Sequence, residues 1–159
     1  MAKFTDVTQE YIDKAKPGNG SVTCGKGYNL KTHKDEIAVA MWLNTVFGGS
    51  VMLLAESTQH YGMKTPDFLW NGATWELKGI ASDKFRTIDK RIKKACEQIR
   101  ENMMWDKRGG IMLDFTGNAL PMERIKKYVI KSAETRMRGM TDVIIRKGAE
   151  YVILRIKRE

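Results

Sequence analysis

Thr65-Pro66-Asp67-Phe68-Leu69-Trp70-Asn71-Gly72-Ala73-Thr74-Trp75-Glu76-Leu77-Lys78-Gly79 reads as two short strands around a tight turn. Asn-Gly is the dipeptide that most readily takes the positive φ angles a two-residue hairpin needs, and apolar and aromatic residues flank it on both sides. Glu76 and Lys78 stand two apart on the second arm, so the period-2 alternation of a strand sends both side chains to one face. If the arms pair symmetrically about Asn71-Gly72, Asp67 falls near Glu76, and two carboxylates crowd beside an ammonium. Like charges in contact are unfavourable unless something positive lies between them. A divalent cation with oxygen ligands would relieve the repulsion.

Outward from this hairpin, strands alternate with amphipathic helices. Upstream, Lys34 to Phe47 predicts a helix with Ala40, Leu43 and Phe47 on one stripe, stopped by Gly48-Gly49. Glu36 lies four residues before Ala40 on that stripe, either as a first-turn acid favoured by the helix dipole or as a member of the Asp67–Glu76 cluster. Val51 to Ala55 predicts a buried strand that ends at Glu56, which competes with Glu36 for the same role. Downstream, Arg86 to Trp105 predicts a helix with Ile88, Ile92, Ala95, Ile99 and Met103 facing inward, Gln98 adjoining them, and a basic outer face. Ile111 to Phe115 reads as a buried strand. Pro121 to Met137 follows as a helix striped by Met122, Ile125, Val129, Ala133 and Met137, and Asp142 to Arg146 and Glu150 to Ile156 complete the chain as a hairpin. Asp114 is either a structural acid near a turn or a further site residue. Before Lys31 the signals thin out: Phe4, Val7, Tyr11 and Ile12 approximate a short helix within residues 4–16, and the glycine-rich run from Pro17 to Lys31 reads as a loop or arm. The domain reading is an arm over residues 1–30 and one α/β domain over 31–159, a mixed β-sheet flanked by helices.

Pro66-Asp67, a gap, and Glu76-Leu77-Lys78 match the PD-(D/E)xK signature, and the chain resembles the restriction-endonuclease-like nucleases. From Glu36 to about Arg155 it also resembles the C-terminal tRNA-nuclease toxin domain of contact-dependent growth inhibition proteins, which recurs in other polymorphic toxins. That resemblance is carried by Asp35-Glu36-Ile37-Ala38, Phe47-Gly48-Gly49, Lys64-Thr65-Pro66-Asp67, Leu69-Trp70, Trp75-Glu76-Leu77-Lys78, Gln98-Ile99, Gly109-Gly110-Ile111-Met112-Leu113-Asp114 and Arg136-Met137. It implies a restriction-endonuclease-like core, Mg²⁺ or another divalent cation on Asp67 and Glu76, and catalytic roles for Glu36 or Glu56, Asp67, Glu76, Lys78 and Gln98. It implies tRNA as substrate, an immunity protein as partner, and action in the cytoplasm of a target cell.

The chemistry is consistent with those roles. A phosphodiester is shielded by its own charge, so hydrolysis requires cationic stabilisation and an activated water. Lys78 would orient or deprotonate that water, or offset charge on the phosphate. Composition points to a polyanionic partner: Lys and Arg outnumber Asp and Glu by 28 to 19 in 159 residues, a net charge of +9. Lys64, Lys84, Arg86, Lys90, Lys93 and Lys94 are the candidates for a phosphate track, with Arg124, Lys126, Lys127 and Lys131 as a second run. The same charge would also suit an acidic surface on an immunity protein. A DNA endonuclease of the same fold and a nucleic-acid-binding module without catalysis remain open, as does a His-dependent ribonuclease through His33 and His60, which otherwise read as exposed loop residues. Cys24 and Cys96 read as free thiols of a reducing compartment. No apolar run approaches the length of a membrane span, and Met1 to Tyr11 lacks a signal-peptide core.

Overall fold

The computed structural model describes residues 2–55, 65–101 and 108–158. Their elements run, in chain order, β1 (Ala2–Asp6), α1 (Thr8–Lys14), β2 (Val22–Cys24), α2 (Lys34–Val46), β3 (Val51–Leu53), β4 (Phe68–Trp70), β5 (Ala73–Gly79), α3 (Phe85–Glu101), β6 (Arg108–Asp114), α4 (Met122–Arg136), β7 (Gly139–Lys147) and β8 (Glu150–Arg158). The strands form a mixed eight-stranded sheet in the order β1-β8-β7-β6-β5-β4-β3-β2. This is the α/β class expected, consistent with a restriction-endonuclease-like core. The backbone divides into two compact units, one of Met1–Gln9, Leu77–Glu97 and Gly110–Glu159, the other of Glu10–Glu76 and Gln98–Gly109.

In the second unit the hairpin forms as its turn residues dictate. Asn71 (φ 50°) and Gly72 (φ 82°) both take positive φ, and the arms pair Trp70↔Ala73, Leu69↔Thr74 and Phe68↔Trp75. Asn71 does more than tolerate the left-handed region: its side-chain oxygen accepts from Ser50 N at 2.9 Å and its own N–H donates to Ser50 O at 2.8 Å. The turn is thereby tied to the loop that ends α2. β3 pairs antiparallel with β4 and parallel with β2, so three residues of the expected glycine-rich loop are a strand.

The aromatic faces of this unit converge. Phe47 lies 5.8 Å from Trp70 between ring centroids, Trp70 lies 5.5 Å from Trp75, and Phe68 stacks on Trp75 at 6.3 Å. Such pairs contribute roughly 0.5–1.5 kcal/mol each beyond their buried area. The indole N–H of Trp70 donates to Gly48 O at 3.0 Å, so its one polar atom is satisfied inside. α2 ends at Gly48 (φ 77°), where a Cβ would meet the main-chain carbonyl of Lys16; only glycine fits that stop.

In the first unit Ile88, Ile92 and Ala95 of α3, Ile125, Val129 and Ala133 of α4, and Ile111, Met112 and Leu113 of β6 are all fully buried. Three consecutive buried residues on β6 mean both of its faces are covered, as the continuous apolar run predicts. Asp89 of α3 accepts from Ser132 Oγ at 2.7 Å and pairs with Arg136 at 2.9 Å, which locks α3 to α4. The helix expected over residues 4–16 is corrected: Phe4 lies in β1, opposite Ile156 of β8, and only Thr8–Lys14 is helical. β7 and β8 form the expected hairpin, longer than predicted at both ends, with Lys147 opposite Glu150.

Candidate functional site

Glu36, Asp67, Glu76 and Gln98 all belong to the second unit, and Lys78 follows Glu76 by two residues along β5. The paired register of β4 and β5 stops at Phe68↔Trp75. One residue earlier, Asp67 N donates to the same Trp75 carbonyl at 3.1 Å, while Asp67 O accepts from Leu54 N at 3.2 Å. Asp67 therefore lies just outside the ladder, at its end, held by its backbone rather than by continued strand pairing. Asp67 is tied through its backbone to the residue next to Glu76, and on its other side to Leu54, just past β3.

β5 is covered on both faces, since Thr74, Trp75 and Glu76 are all buried in succession. Glu76 is only 2% exposed. A carboxylate at that depth requires charge or hydrogen bonds to hold it. Leu77 and Lys78 are half-buried, so the strand emerges towards solvent where the lysine stands.

Glu36 stands in the first turn of α2 with its side chain 26% exposed. Tyr28 Oη donates to its Oε2 at 3.0 Å, and His33 Nδ1 lies 3.3 Å from its Oε1. Burial holds the Glu36 carboxyl above the usual carboxylate range; the Tyr28 hydrogen bond and His33 oppose that shift, and the negative charge of Asp67 adds to it. Burial also raises the Tyr28 phenol, with Glu36 the next cause and Cys24 and Asp67 smaller ones. His33, read as an exposed loop histidine, is the non-helical residue before α2 with its side chain 44% exposed, and its ring packs 5.1 Å from that of Tyr28.

Tyr28 is the residue that sequence reasoning missed. It lies in the glycine-rich run, eight positions before Glu36, and no periodicity links the two. Gln98 is half-buried, and its side-chain oxygen, like Thr74 Oγ1, is a buried atom with no hydrogen-bond partner among the described residues. Glu56, Lys64 and His60 lie outside the described residues. Asp114 is a structural acid: it pairs with Arg146 at 3.3 Å and accepts from Thr116 Oγ1 at 2.6 Å.

Among the described residues no group of three or more His, Cys, Asp or Glu is arranged to hold a metal ion. Mg²⁺, however, keeps several waters and takes one or two carboxylates. Asp67 and Glu76, with the Leu77 carbonyl, are the residues that would supply those oxygens. In the first unit Lys84, Arg86, Lys90, Lys93 and Lys94 are all exposed. Arg86, Lys90, Lys93 and Lys94 follow helical spacing along one stripe of α3, opposite the buried Ile88-Ile92-Ala95 stripe. In the second basic run, Lys131 is drawn over the Phe85 ring at 4.5 Å. Among the described residues no helix is long and apolar enough to cross a membrane.

No protein-family model matches the sequence, and no curated protein matches it. Among solved structures, the chain is similar to one chain of a CdiA-CT/CdiI toxin and immunity complex from Burkholderia pseudomallei. The TM-score is 0.50 at 15% identity, over 84% of this chain and 98% of that one. At that identity the likeness is one of fold.

Proposed function

We propose that this chain is a toxin nuclease, a divalent-metal-dependent endoribonuclease that hydrolyses phosphodiester bonds of structured RNA, with tRNA as its substrate. The observation that carries the reading is the backbone junction between Pro66-Asp67 and β5. Asp67 N donates to the carbonyl of Trp75, the residue before Glu76 on the strand that also bears Lys78. A bound divalent cation would supply charge stabilisation for the phosphate and a more acidic water. Asp67 and Glu76 would hold it. Lys78, at the emerging end of β5, would orient the attacking water or offset charge on the phosphate, and Gln98 would offer its buried oxygen to a polar group at the site.

The resemblance in fold to a chain of a toxin and immunity complex supports the toxin setting, and with it an immunity protein as partner and action inside a target cell. The net charge of +9 favours the toxin role over the inhibitor role, because the toxin is the member that must engage RNA. Purified protein incubated with tRNA and with duplex DNA, in Mg²⁺ and in EDTA, tests the proposal. Cleavage of tRNA in Mg²⁺ alone is expected, and Asp67→Ala should abolish it while leaving RNA affinity within about twofold, since the phosphate-binding lysines are untouched. Cleavage confined to DNA would reassign the substrate. Binding without cleavage would make the chain an RNA-binding module.

A further inference from the structure

We propose that Tyr28 and His33 are positioning residues for catalysis, a two-sided clamp that sets the Glu36 carboxylate for the reaction; this rests on the nuclease reading above. Glutamate has three side-chain torsions, and ordering it costs up to roughly 2 kcal/mol of rotamer freedom. On the flank of α2, near the charge of Asp67, an unheld Glu36 would swing towards solvent. Two partners stand against that, one at each carboxylate oxygen: Tyr28 Oη donates to Oε2 at 3.0 Å, and His33 Nδ1 lies 3.3 Å from Oε1, within ion-pair range.

The clamp is itself braced. The rings of Tyr28 and His33 pack 5.1 Å apart, and Tyr28 N donates to Gly25 O at 3.2 Å. Gly25 N in turn donates to Leu53 O at 2.6 Å at the end of β3. His33 is anchored from the helix side, where its carbonyl accepts from Ile37 N at 3.1 Å. The segment from β2 to α2 is thus fastened to the same sheet that carries Asp67. An ionised carboxylate offers about four lone-pair sites. The clamp uses two and leaves the others for a water or a cation. Conversely, a Glu36 that needed no fixed orientation would gain nothing from a half-buried tyrosine hydrogen-bonded to it.

The test is a double-mutant cycle on the whole chain, reading tRNA cleavage in Mg²⁺. Tyr28→Phe and His33→Gln should each lower kcat by about 10-fold or more, the range for groups that orient a functional ligand, with KM within about twofold and unchanged melting. In a Glu36→Gln background the same substitutions should have almost no further effect, because partners acting through one group are not additive. Undiminished kcat in Tyr28→Phe, or losses that multiply with Glu36→Gln, would overturn the clamp. A readout independent of activity is alkaline ultraviolet titration of the metal-free protein. Tyr28→Phe should remove a late-ionising phenol and Glu36→Gln should bring it earlier; identical curves for parent and Glu36→Gln would also overturn it. If the parent cleaves no RNA, the catalytic role falls with the nuclease reading; if the parent is active and only the clamp variants are silent in effect, the clamp alone falls.

Discussion

Glu36 illustrates how one carboxylate is held against its own preference. Its folded-state pKa is raised, chiefly by burial. A raised carboxyl favours the folded state most when protonated, so its contribution is fully present below the unfolded value, near 4.3, and declines as pH rises through the folded one. Removing the charge with Glu36→Gln should therefore raise the melting temperature at pH 7 to 8, with the gain closing below about pH 4. Thermal melts across that range check it, and a Glu36→Gln variant that melts lower than the parent at neutral pH would mean the clamp outweighs the burial cost. At this scale the hairpin beside Asp67 that carries Glu76 and Lys78 was legible because turn chemistry and strand alternation are local rules. The Tyr28–Glu36–His33 contacts were not, since a hydrogen bond across a glycine-rich loop leaves no periodic trace.

The elements that place these residues follow from few positions. Asn71-Gly72 sets the hairpin and Gly48 stops α2 against the Lys16 carbonyl. Gly48→Ala should destabilise the protein by about 1–3 kcal/mol, the cost of a non-glycine residue forced into a sparsely populated conformation, read as a lower urea midpoint with unchanged slope. A substitution without effect would mean that the chain around Lys16 yields freely. Helices α2, α3 and α4 and strands β6 to β8 were readable from their stripes because burial imposes periods of 3.6 and 2 on them. β1 was not. Phe4 and Val7 mimic helical spacing, but the partner that makes residues 2–6 a strand is β8, at the far end of the sequence, and no local pattern encodes a pairing at that distance. β2 is hidden for the same reason: three residues gain their strand conformation from β3.

For the molecule as a whole, the proposed RNA substrate is tested through charge. On the proposed reading, a net charge of +9 and an exposed stripe of Arg86, Lys90, Lys93 and Lys94 on α3 would drive binding by release of counterions. RNA affinity should therefore fall steeply with salt, and replacing Lys90, Lys93 and Lys94 together by Ala should reduce the log–log slope by about 2 to 3, nearly one for each phosphate no longer neutralised. An unchanged slope would move the phosphate track to another surface. The central proposal is that Asp67, just before β4, and Glu76 and Lys78 of β5 serve a metal-dependent hydrolysis. The most direct measurement is single-turnover cleavage of tRNA in Mg²⁺ by the parent, Glu76→Gln and Lys78→Met, each first shown to be folded by its melt. The account predicts Mg²⁺-dependent cutting by the parent and a rate at least about 100-fold lower in both variants, the scale of losing one stabilising group at a reacting centre. Folded variants that cut as fast as the parent would contradict it.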